Sequence, residues 1–317
     1  MLLGRGFILG AWNSHVSLGN ILGALLAGAC VEVAWGWSFV VPGLVVGGMG
    51  VLVYFFLVPY PEDMGFTLPE STAKPSPSEF ARNDGDYSNL QVSMHPSREN
   101  MRPISFCAAL AVPGVMEYSL CLFFVKSVAY TFLFWLPMYI REANGLEAAL
   151  SADLSAIFDS GGIVGGMLAG LITDRTSCSA TICGAMLLVA VPTLYAYYLV
   201  GASSVAVCIC MLLSLGILVV GPYSLITTVV SADLGTDQSL QGNTKALSTV
   251  VAIIDGMGSL GAAAGPFIVG LIVGYGWLYI FLVMMLFLIL SILFLLRRIV
   301  KELQTVCRPT VAYVQMP

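Results

Sequence analysis

Leu120-Cys-Leu-Phe-Phe-Val-Lys-Ser-Val-Ala-Tyr-Thr-Phe-Leu-Phe-Trp135 carries one charge in sixteen residues. Its apolar side chains do not alternate, and no face is left polar. A helix of this kind is surrounded by other apolar matter on every side. With its flanks the run covers 115–140, longer than the roughly 20 residues that cross a bilayer. Seven more segments share its character: 7–31, 37–58, 154–173, 179–200, 204–231, 246–273 and 276–296. In lipid the backbone must bond to itself, so each of the eight is predicted to be a helix. A β-barrel would need short stretches of period-two alternation, and none is present. The fold class is thus an all-α membrane protein with eight transmembrane helices.

Composition agrees. The chain is 58% hydrophobic and 10% charged, against about 25% charged in soluble domains. Mean hydropathy is +0.91. Lysine and arginine set the orientation. With eight spans, Arg5, Lys74, Arg82, Arg98, Arg102, Arg175, Lys245, Arg297, Arg298, Lys301 and Arg308 fall on one side. Arg141 stands alone on the other, and Lys126 lies inside a span. Both termini are therefore expected in the cytoplasm. The stretch from Pro59 to about Arg102 is rich in Pro, Ser, Asn and Asp. Such a composition cannot build a core, and it reads as a mostly disordered linker.

The domain plan follows: 1–58 holds two helices, 59–105 the linker, 106–298 six helices and 299–317 a tail. Many transporters join two six-helix halves through a long loop, with the site between them. A two-plus-six layout predicts a chain missing four N-terminal spans; the alternative is a genuine eight-span protein. The N-terminus, Met1-Leu-Leu-Gly-Arg-Gly6, does not read as a cleaved signal.

Some functions are disfavoured. No basic stripe exists for nucleic acid. The eight cysteines show neither a disulfide framework nor a zinc spacing. No HExxH, phosphate loop or Gly-x-Ser-x-Gly occurs, so neither an enzyme nor a resident cofactor or metal is expected.

Charges inside spans are costly and mark function. Lys126 is mid-span, too far from either interface for its stem to snorkel out. It suits an anionic substrate or a buried acid. Tyr130 lies four residues on, on the same face. Asp255 is the second such charge. It pairs with Lys126, takes a proton, or accepts backbone bonds near Gly256 and Gly258. Asp159 is read as a cap or a water-facing group near the outer start of its span. In the first span Asn13, Ser17 and Asn20 share a face, and His15 points elsewhere with Trp12 and Gly19. That polar face suggests a water-filled path, with Asn13 and His15 as candidate substrate contacts. Gly19/Gly23, Gly162/Gly166/Gly170 and Gly261/Gly265 recur at the spacing that lets helices approach closely.

Gly161-Gly-Ile-Val-Gly-Gly-Met-Leu-Ala-Gly-Leu-Ile-Thr-Asp-Arg175 resembles the glycine-rich Asp-Arg loop motif of the major facilitator superfamily, in the copy between the eighth and ninth helices. Asp174 and Arg175 would then belong to a gating loop. Trp12-Asn-Ser-His15, the helix from Lys126 and Tyr130 to Trp135-Leu-Pro-Met-Tyr139, Gly221-Pro-Tyr-Ser-Leu-Ile226 and Gly256-Met-Gly-Ser-Leu-Gly261 are similar to the organophosphate:phosphate antiporters. The match is closest to the sugar-phosphate exchangers of solute carrier family 37, and it covers nearly the whole chain except linker and tail. The resemblance numbers these spans five to twelve of a twelve-helix major-facilitator bundle. It implies exchange of glucose 6-phosphate or a related ester for inorganic phosphate across the endoplasmic reticulum membrane, by alternating access. In bacterial relatives arginines of the first and seventh helices clamp the phosphate, helped by a fifth-helix histidine. Here Tyr130 stands where the seventh-helix arginine aligns, Lys126 lies one turn earlier, and His15 is one position out of register. The resemblance thus implies Lys126 as the phosphate cation, with Tyr130 and His15 beside it. Two other readings stay open: a proton-coupled symporter of a neutral solute using Asp255, and a non-transporting truncated isoform.

Overall fold

The computed structural model describes residues 4–31, 34–58, 64–65, 105–235 and 244–307. The linker, apart from Met64, Gly65 and Ser105, and the tail beyond Cys307 lie outside the described residues. So do His95, Lys74, Arg82, Arg98, Arg102 and Arg308. Among the described residues every regular element is helical: α1 (Arg5–Val31), α2 (Trp37–Phe56), α3 (Phe106–Leu110), α4 (Val115–Asn144), α5 (Ala148–Thr176), α6 (Ser179–Val200), α7 (Val205–Leu225), α8 (Ser231–Gly235), α9 (Thr244–Ile272) and α10 (Trp277–Cys307). A π-helical turn, Ile226–Val230, joins α7 to α8, so the two run on as one span over Val205–Gly235.

All eight predicted spans coincide with long helices. Among the described residues, seven are long and apolar enough to cross a membrane. α1 is not among them, because Asn13, Ser14, His15, Ser17 and Asn20 dilute its middle. α10 runs past the predicted end of its span at 296 and past the domain boundary at 298, carrying Arg297, Arg298 and Lys301 on its last turns.

Five helices close a ring. α4 packs on α10, α10 on α6, α6 on α7, α7 on α5, and α5 crosses back to α4. α9 lies against α4 outside the ring, and α1 lies against α5. Among the described residues, the buried apolar core comes entirely from Ala109 to Leu295. α2 buries no residue and touches chiefly α1.

Two seams of small residues bring the outer helices in. On the α4–α9 seam, a Cβ at Gly258 would stand 2.8 Å from Lys126 Cδ and 2.9 Å from Leu122. Ser127 shares its hydroxyl between the carbonyls of Phe123 (2.8 Å) and Gly261 (2.9 Å), tying the helices together. On the α1–α5 seam, a Cβ at Gly10 would stand 2.5 Å from the Gly166 carbonyl. Only glycine permits so close an approach of backbones.

The helix ends sort by charge as the sequence predicts. Arg5, Arg175, Arg297, Arg298 and Lys301 lie at one end of the bundle, joined there by Arg5–Asp233 and by Tyr118–Ser179. Arg141 lies at the other, beside the Trp277–Glu142 hydrogen bond.

Candidate functional site

Five long helices carry a polar or charged residue at similar depth. α4 runs over Val115–Asn144, which puts Lys126 and Tyr130 near its centre. α9, α5, α7 and α1 bring Asp255, Asp159, Tyr223 and the Ser17/Asn20 pair to similar depth.

Lys126 is the anchor. Its side chain is 6% exposed, and its ammonium donates to Asp255 Oδ1 at 2.7 Å. The Asp255 carboxylate is 54% exposed, so one end of the pair is sheltered and the other open. The Gly258 notch presses α9 onto the lysine stem and aims Nζ at the carboxylate one turn earlier. The ammonium also sits 5.1 Å from the centroid of the Tyr223 ring, within cation–π range. A fixed cation with an aromatic floor and a displaceable carboxylate is suited to an anion.

Tyr130 and Tyr223 line a small cavity with Ser17, Asn20, Asp159 and Val220. It encloses about 20 Å³, room for a water or two rather than a sugar. Asp159 is 8% exposed and accepts from Asn20 Nδ2 at 3.2 Å. This corrects the capping role expected for it. α5 starts at Ala148, so Asp159 lies about 16 Å into the helix. The misreading came from taking Ser151 and Asp153 as loop, although they belong to the first turns of α5.

The other sequence candidates separate. Asn13 is half-buried on the Ser17 face of α1. His15 is exposed on the far face, its Nδ1 2.6 Å from the Trp12 carbonyl and its ring 6.0 Å from the indole. Neither lines the cavity. Asp174 and Arg175 occupy the last turn of α5 and not a loop. There Asp174 accepts the Gly6 and Phe7 amides at 2.7 and 2.9 Å, satisfying free N–H groups at the start of α1. Arg175 is exposed beside it.

Tyr223 was missed by sequence reasoning, although its segment Gly221-Pro-Tyr-Ser-Leu-Ile226 stands out. A tyrosine directly after a mid-helix proline in an otherwise apolar run was the available signal. Among the described residues, no cluster of His, Cys, Asp or Glu is arranged to hold a metal ion.

Comparison with known proteins adds a lineage. The family model for the Major Facilitator Superfamily matches residues 4–243. The chain is 49% identical over 315 residues to the glucose-6-phosphate exchanger SLC37A2 of Xenopus tropicalis, covering 96% of this chain and 63% of that protein. It is 47% identical over 344 residues to the glucose-6-phosphate exchanger SLC37A1 of Mus musculus, covering 99% and 64%. For the human SLC37A1 exchanger the figures are 46% over 334 residues, 94% and 62%. The chain therefore spans under two thirds of the length of these relatives.

Proposed function

The chain belongs to the Major Facilitator Superfamily, and on that premise we propose that it works in the exchange of a sugar phosphate for inorganic phosphate. It is an integral, multi-pass membrane protein. The substrate class is glucose 6-phosphate or a close ester, as the names of its relatives suggest. The endoplasmic reticulum is the proposed membrane, on the family resemblance alone.

The observation that carries this reading is Lys126. Among the described residues it is the only cation at mid-span, and its partner sits on a separate helix. An ester phosphate and inorganic phosphate share one feature, an anionic head of nearly two charges near neutral pH. Moving it to mid-membrane without a fixed cation costs several kcal/mol. In the proposed cycle the phosphate takes the ammonium from Asp255, whose carboxylate turns to the open side. Lys126 and Tyr223 hold the anion, with Tyr130 as a nearby donor. Alternation then moves α1 against α5, and the Asp174 bonds to Gly6 and Phe7 latch the basic end closed.

Counterflow tests it. Proteoliposomes of the purified chain, loaded with glucose 6-phosphate, are expected to take up labelled phosphate at a rate indifferent to a proton gradient. Uptake that tracks the gradient would favour the symporter reading. No uptake by a chain of native helicity would leave a non-transporting isoform.

A further inference from the structure

Asp159 of α5 and Asn20 of α1 meet at mid-depth, and the phosphate site proposed above uses neither. Asp159 is 8% exposed, and its Oδ1 accepts from Asn20 Nδ2 at 3.2 Å. An ionised carboxylate can accept at about four positions. Among the described residues no second donor reaches this one, and no cation pairs with it. A carboxylate held at this depth without a cation is costly, and such residues mark function. Its open acceptors border the small cavity, which Ser17, Tyr130 and Tyr223, each bearing a hydroxyl, also line. Tyr223 is shared: its ring also stands 5.1 Å from the Lys126 ammonium. The cation and the cavity are therefore neighbours across a single ring.

We propose that this cavity is the closed form of a subsite for the sugar hydroxyls, with Asp159 and Asn20 as the residues that select a polyol. The proposal rests on the reading of Lys126 as the phosphate cation. A sugar phosphate has two unlike ends, an anionic head and a neutral ring whose hydroxyls both donate and accept. The chain offers two unlike sites side by side. Lys126 suits the head. The Asp159 carboxylate accepts from hydroxyls and repels a second anion, so it decides which end of the ester lies where. The Asn20 amide can donate to a hydroxyl oxygen. A few such polar groups are what fix a ligand's orientation in a pocket. At about 20 Å³ the cavity must widen to admit the ring. The side-chain bond crossing from α1 to α5 at this depth is Asn20–Asp159 itself. Sugar hydroxyls that replace it release α1 from α5, just as the phosphate replaces Asp255 at Lys126.

Displacement of labelled phosphate from the purified chain by two competitors, glucose 6-phosphate and ethyl phosphate, is the test. The two share the anionic head and differ in the polyol. Wild type is expected to prefer glucose 6-phosphate by at least about tenfold. Asp159→Ala should bring that preference close to parity. Asn20→Ala leaves the carboxylate in place and should lower it about threefold. Asp159→Asn keeps the volume and one carbonyl acceptor. It should retain only part of the preference, which decides the matter if the alanine form fails to fold. Asp153→Asn, the same charge loss on the exposed first turns of α5, should change it less than about twofold. A mere latch between α1 and α5 would weaken both competitors alike and leave the preference intact in every variant. That result, equal competition by the two esters in wild type, or an equal loss in Asp153→Asn would overturn the proposal. Wild type that binds no phosphate at all would instead strike the Lys126 reading, and the subsite with it.

Discussion

α9 and α1 sit in matching places, one against α4 and the other against α5, yet they are held differently. The α4–α9 seam combines glycine contacts with side chains that reach across: Lys126 to Asp255, Ser127 to the Gly261 carbonyl, and Trp135 Nε1 to the Pro266 carbonyl at 3.2 Å. Val250, Ile253, Ile254 and Val269 of α9 are buried. Among its described residues α1 buries only Gly6, Gly10, Ser17 and Gly28. Its ties to the rest are backbone closeness and a few polar bonds: Asp174 at its start, Arg5–Asp233 beside it, and Asn20–Asp159 at mid-depth. Interlocked side chains resist sliding, whereas a smooth seam latched by hydrogen bonds can open without repacking a core. In the proposed cycle α4–α9 is the rigid holder of the charge pair and α1–α5 the joint that moves.

The contrast breaks first at the seams themselves. Gly261→Leu would drive a side chain into the α4 backbone at Phe123, and a loss of roughly 3 kcal/mol is expected. Thermal unfolding of the whole six-helix body should move to lower temperature. Gly170→Leu does the same to the Gly6 backbone on the other seam. There the six-helix unfolding should stay put while α1 becomes open to protease. Gly19→Leu has nothing within 4 Å and should do neither. Equal global destabilisation by Gly170→Leu would erase the distinction.

A smaller effect sharpens it. Asp174→Ala removes the acceptor for two amides and should cost about 1–2 kcal/mol. Hydrogen exchange should quicken at Gly6 and Phe7, with α6 unchanged. Glu302→Ala is the counterpart inside the six-helix body, since Glu302 accepts the Ala180 and Thr181 amides at 2.9 Å each. It should free only the start of α6. The smallest change is Arg5→Gln. Its pair with Asp233 is over half exposed on both sides, so a loss below about 1 kcal/mol, vanishing at high salt, is expected in the same exchange experiment.

The spans and the two mid-membrane charges were legible because lipid leaves a long apolar run few options and makes every buried charge conspicuous. Pairing of Lys126 with Asp255 stood among the three roles open to that carboxylate before any coordinates, and the structure shows it. What the two seams join was not legible. Gly162/Gly166/Gly170 announces a close approach without saying whether α1 or α7 fills it; Gly166 in fact faces Ser224 of α7 and the Gly10 carbonyl of α1. Asp159 was misplaced because a membrane helix can extend beyond the hydrocarbon, so polarity at Ser151 and Asp153 did not mark its start. His15 was counted a candidate contact because the first span carries so many polar groups, while its periodicity already put it off the Asn13 face.

The central claim is that Lys126 holds the phosphate and Asp255 holds Lys126 in its absence. Equilibrium binding of labelled phosphate to the purified chain, followed beside its thermal unfolding, tests both parts together. Wild type should bind saturably, with competition from glucose 6-phosphate and not from glucose. Asp255→Asn should bind more tightly and unfold more easily, because the ammonium loses its internal rival and its partner at once. Lys126→Gln should lose binding by roughly tenfold to a hundredfold. Lys126→Gln with Asp255→Asn should recover stability but not binding. A folded Lys126→Gln chain that binds phosphate with wild-type affinity would contradict the account.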